Sequence, residues 1–149
     1  MQKTGRFLKG FLAVAVVLAF GGIGLLSQSG QASAAGSPDT ELKTAITHAG
    51  FSAKADALKG ATQHLHHVLN CLVGPQDKMF DGAAGNPCQG QGNGFLPDFK
   101  ETKGENAQYY QAWWVATIAD QAIKTDKLEQ AKAAAHIAGL VLQDIEKMK

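Results

Sequence analysis

His64, His66, His67 and Cys71 fall within eight consecutive positions of the 149-residue chain. On a helix turning about 100° per residue, His64, His67 and Cys71 share an arc of roughly 60°, and His66 points away. Imidazoles at i and i+3 can hold one ion between them, as ligands do on the facing helices of metal-binding bundles. Neutral ring nitrogens suit late first-row ions, so His64 and His67 are candidate ligands for copper or zinc, with copper(II) ahead of zinc in the Irving–Williams order. An isolated HxxH is a weak motif, and the competing reading is a solvated polar helix face.

Further ligands are harder to find. If the preceding helix stops at Gly50, His48 sits beside the hairpin turn, about 14 Å along the axis from His64 at ~1.5 Å per residue. That makes His48 a poor partner. His136 reaches the right level but shares the outer face of its helix with Glu129, Lys132 and Gln143. Asp77, Asp81 and Asp98 could offer oxygens from a segment whose path the pattern does not fix. DGAAGN, at 81–86, lacks the alternating acids and closing glutamate of a calcium hand.

The two cysteines, Cys71 and Cys88, read as a disulfide, because an even count in an exported chain favours a covalent staple over thiolate ligands. No phosphate loop, zincin helix, dinucleotide fingerprint or haem-attachment motif occurs, and no nucleophile with its base stands out. The expectation is a protein that binds, not an enzyme.

Four amphipathic segments must position these residues. Ser37-Pro38-Asp39 has the capping residue, early proline and acid of a helix start, and Leu42, Ala45, Ile46 and Ala49 follow at helical spacing. A second helix is expected over about 52–73, with Leu58, Ala61, Leu65, Val68, Leu69 and Leu72 on one face before Gly74-Pro75. The third, about 105–124, places Tyr110, Trp114 and Ile118 on one stripe, so its aromatics are expected to pack the core. The fourth opens with a capping-box pattern, Asp126 and Glu129, and carries Leu128, Ala131, Ala135, Ala138, Leu142 and Ile145.

Between the second and third helices, 74–104 holds seven glycines and three of the four prolines. This reads as a long Gly-rich loop, pinned by the disulfide to an all-α, up-down four-helix bundle whose apolar stripes do not depend on it.

Residues 1–34 read as a cleaved secretory signal peptide. Lys3, Arg6 and Lys9 precede the apolar run FLAVAVVLAFGGIGLL, and Ala32-Ser33-Ala34 offers small residues for cleavage. The run has 16 residues, short of the ~20 that span a bilayer. The single domain, 35–149, is then expected to be periplasmic or secreted and not membrane-embedded. It would keep eleven lysines, no arginine and all 13 acids, a balance that excludes a nucleic-acid partner. Two functional readings follow: a transition-metal binder through His64 and His67, or an interaction module whose Gly-rich segment and aromatic helix meet a protein partner or apolar ligand.

Overall fold

The computed structural model describes residues 36–148. The expected signal peptide, 1–34, lies outside the described residues. These residues are all-helical, with five α-helices and no strand among them: α1 (Pro38–Ala53), α2 (Leu58–Val73), α3 (Phe95–Lys103), α4 (Ala107–Ile123) and α5 (Leu128–Lys147). No helix among them is long and apolar enough to cross a membrane.

α1 starts as its sequence predicts, with the Ser37 side chain accepting the Thr40 N–H and Pro38 in the first turn. It does not stop at Gly50. A glycine inside a helix costs about 1 kcal/mol relative to alanine, less than packing can supply, and α1 runs on to Ala53 with Ser52 buried. The Ser52 hydroxyl donates to the Ala61 carbonyl (2.8 Å), closing an antiparallel hairpin whose turn is residues 54–57. α4 is capped by Asn106, whose side-chain oxygen accepts the Gln108 and Tyr109 N–H groups. The capping box expected before α5 does not form: Lys127 is the N-cap residue and gives no side-chain bond.

α1 packs against α2 and α5, and α4 packs against the same two helices from the other side. Leu42, Leu65, Leu69, Leu72, Val115, Leu142 and Ile145 fill the space between them. α4 corrects an expectation. Its buried residues are Ala112, Val115, Ala116 and Ala119, while Tyr110, Trp113 and Trp114 are exposed. Small side chains let helix backbones approach closely, so α4 turns its alanine stripe inward although the aromatics would bury more area.

The Gly-rich segment is also more structured than its composition implies. It contains a 3-10 turn at Gly82–Ala84 and the whole of α3. α3 touches α1, α2 and α4, and its Phe95, Leu96 and Phe99 join the common core. The segment's glycines allow close backbone crossings. At Gly74 (φ 72°) a Cβ would lie 1.4 Å from the Asn93 carbonyl oxygen, and at Gly92 it would lie 2.1 Å from the Asp98 carboxylate.

Cys71 and Cys88 form the disulfide, with Cα atoms 5.3 Å apart. Both cysteines are buried members of the core. The segment therefore is not a detachable cover, contrary to the reading in which the apolar stripes are independent of it. With the two cysteines 17 positions apart in sequence, losing the cross-link should cost about 3 kcal/mol by chain-entropy arithmetic. Cys88→Ser is expected to lower the urea midpoint of the whole helical signal in a single transition. A first transition confined to proteolytic opening of 74–104, with the helical midpoint unchanged, would show that the segment is separable.

Candidate metal centre

Three histidines converge on the α1–α2 seam. The turn at 54–57 sets the level: His48 lies eight residues before position 56 and His64 eight after it. Antiparallel helices of equal rise place such residues face to face. Nδ1 of His48 is 3.1 Å from Nδ1 of His64 and 3.2 Å from Nδ1 of His67. One ligand atom from each of the three histidines can be chosen so that all lie within 4.8 Å of one another. The separation of about 14 Å expected from a turn near Gly50 is thus overturned, and His48 becomes the centre of the cluster. A turn placed four residues too early had shifted the hairpin register by about twice that number.

Donor geometry fits a first-row ion. For metal–nitrogen bonds of about 2.0–2.1 Å, nitrogens 3.1–3.2 Å apart subtend roughly 100° at the metal. That angle, for the His48–His64 and His48–His67 pairs, lies near the tetrahedral value; a tetrahedral ion held by three histidines would keep a fourth position open. All three side chains are half-buried. Phe51, half exposed, stacks edge-on to His48 (centroids 5.6 Å) and tilted on His64 (5.3 Å), covering one flank with hydrocarbon.

Protonation favours ligation. Burial, followed by the proximity of His67 and His64, lowers the His48 pKa to about 4. Burial and His67 also lower that of His64. Both rings are therefore neutral at physiological pH, the form that binds metals.

The tautomer of His67 is set from outside the cluster. Its Nε2 lies 2.8 Å from the Ala84 carbonyl oxygen, which can only accept. The ring proton is therefore on Nε2, and the Nδ1 lone pair faces His48. Such an outer hydrogen bond orients a ligating imidazole and raises its basicity. Gln63 donates to the same carbonyl (2.6 Å). Buried Asn70 fixes the turn behind it, donating to the Asp81 and Gly85 carbonyls (both 2.7 Å) and accepting the Asp81 N–H (2.9 Å). Together with the disulfide, these bonds hold 81–88 against α2.

His64 and His67, the ligand pair read from the sequence, do come together. Cys71 shares their side of α2 but is committed to its disulfide. His66 points elsewhere, with Nδ1 3.6 Å from an Asp81 carboxylate oxygen. His136 is exposed on α5 and outside the cluster. The aspartates of 74–104 serve other ends: Asp77 caps the Met79 N–H, Asp81 accepts the Ala83 N–H, and Asp98 takes two bonds from Asn93. Asn70, Gln63 and Ala84 carry no sequence signal for a supporting role. His48 did: the helical spacing Leu42, Ala45, Ala49 continues to Ser52 and Ala53, which moves the turn to where it occurs.

No protein-family model, curated protein or solved structure matches the chain.

Proposed function

We propose that the chain is an exported, up-down four-helix bundle with a long Gly-rich connection, and that it binds one transition-metal ion through His48, His64 and His67. The convergence of three Nδ1 atoms, two pairs of them 3.1–3.2 Å apart, carries the reading. Copper(II) and zinc are the candidate ions. The Irving–Williams order places copper(II) first in affinity, and three imidazoles with an open position suit either metal. The role is metal binding or handling, not catalysis, and nucleic acid is no partner of a mature chain without arginine. Export rests on the basic start, the 16-residue apolar run and the small residues before Ala35. N-terminal sequencing of the exported protein should begin at Ala35, and a start at Met1 would refute cleavage.

Isothermal titration of disulfide-intact protein with zinc and with copper(II) tests the site. One equivalent of each is expected, with copper(II) bound more tightly. Absence of saturable binding by both ions would overturn the proposal. The exposed Tyr110, Trp113 and Trp114 of α4 favour a second reading, an interaction module with a protein partner, and that reading would then lead.

A further inference from the structure

A second concave site lies at the end of the bundle where α1 begins and α5 ends. The cavity holds about 250 Å³, and Leu42, Phe95, Phe99 and Ile145 line it. All four are buried. Exposed Lys103, from the last turn of α3, stands at its rim. Lys103 makes no ion pair or hydrogen bond among the described residues, unlike Lys100, which pairs with Glu105. Asp39 shares the rim but already has an interaction partner. Among the described residues the combination is an apolar pit with one uncommitted cation, Lys103, at its mouth.

We propose that this cavity binds a small single-chain carboxylate, its tail among Leu42, Phe95, Phe99 and Ile145 and its carboxylate on the Lys103 ammonium. Apolar walls with a few placed polar groups, here Lys103, Asp39 and Gln108, are the usual make-up of a small-molecule site. At about 30 Å³ for each water-sized group, 250 Å³ takes roughly eight methylene-sized groups. Octanoate is therefore the probe of matching length. A longer tail would leave methylenes in water, and a shorter one would leave part of the pit unfilled.

None of the three clustered histidines lines this cavity, so the test separates it from the metal site. Isothermal titration of the full mature protein compares hexanoate, octanoate, dodecanoate, octylamine and methyl octanoate. Affinity should rise about fourfold per added methylene from hexanoate to octanoate and gain little beyond. Octanoate should bind better than octylamine and than the uncharged ester, which mimics an acyl tail without a free carboxylate. Lys103→Gln should weaken octanoate about threefold to fivefold, the range of an exposed ion pair, and leave the ester unchanged. Met148→Trp, which narrows the mouth, should weaken both. His48→Ala should leave octanoate binding intact. Equal binding of octanoate and octylamine, or an affinity indifferent to Lys103→Gln, would overturn the proposal. Ester binding as tight as octanoate would instead assign the cavity to neutral acyl chains and overturn the carboxylate assignment.

Discussion

His48→Ala is expected to weaken zinc and copper(II) binding by at least about a hundredfold, as much as His64→Ala or His67→Ala. Loss of an outer hydrogen-bonding partner at a metal site typically costs 10–100-fold, and loss of a ligand removes the bond itself. His48 should matter no less than the other two, because its Nδ1 is the atom shared by both short contacts, 3.1 Å to His64 and 3.2 Å to His67. His66→Ala, although adjacent to His67 in sequence, should change affinity less than threefold, since its ring faces Asp81. The series is read by isothermal titration with each ion on proteins of matched thermal stability. Wild-type affinity in His48→Ala would dismantle the three-histidine centre and leave at most the helix-borne pair. Reduced binding by His66→Ala equal to that of the others would point to nonspecific surface binding.

Glu41→Gln should stabilise the protein above pH 7, by up to about 3 kcal/mol. Glu41 is fully buried in α1; its Oε1 accepts the Gly94 N–H (2.7 Å), and its Oε2 has no hydrogen-bond partner among the described residues. Burial pushes its pKa from 4.5 up to about 7, and the nearby Asp98 pushes the same way against the Gly94 bond. Below pH 4.5 the carboxyl is protonated in both folded and unfolded chains and contributes no slope. Between about 4.5 and 7 the unfolded chain has released the proton and the folded chain retains it. Stability from this group is therefore lost as pH rises through that window, at up to about 1.4 kcal/mol per pH unit. Glutamine keeps an acceptor for Gly94 and carries no charge. Metal-free His48 has the opposite sign: its pKa, lowered to about 4, makes stability fall as pH drops from 6.5 toward 4. The two slopes oppose each other in nearly the same window, so wild-type stability alone conceals both. The difference between wild type and Glu41→Gln, from urea unfolding at pH 4.5 to 8, isolates one of them. A difference that does not change with pH would mean that Glu41 is ionised in the folded protein throughout.

The legible part of this protein lay in residues whose spacing is local. His64 and His67 are one turn apart on a single helix, so their shared face needed only the helical period. The start of α1 was explicit in Ser37-Pro38-Asp39, and the pairing of Cys71 with Cys88 followed from there being two cysteines. Readings failed where two elements had to be registered against each other. Gly50 resembles a stop but is tolerated inside α1, whereas the real turn, Lys54-Ala55-Asp56-Ala57, has neither glycine nor proline. That one boundary decided whether His48 belonged to the site. α4 failed for a different reason. A side chain's size indicates how much burial it would gain, but close helix packing selected Ala112, Ala116 and Ala119. α3 was hidden because its nine residues include Pro97 and sit behind a run of glycines.

The bond from His67 to the Ala84 carbonyl bears on how firmly an ion can be held. Ala84 belongs to the stretch fastened by Asn70 and by the Cys71–Cys88 cross-link. While the sulfurs are still thiols, α1 and α2 can already face His48 toward His64, but the strap that selects the His67 tautomer has only its hydrogen bonds to hold it. Oxidation would thus tighten the hold of the proposed site by fixing the His67 ring. In the reduced chain all three imidazoles would still meet at the α1–α2 seam, and only the outer bond that orients the His67 ring would be looser. If the chain binds metal as proposed, it would compete less well for copper or zinc under reducing conditions than under oxidising ones. The disulfide would then couple the strength of metal capture to the redox state of the surroundings.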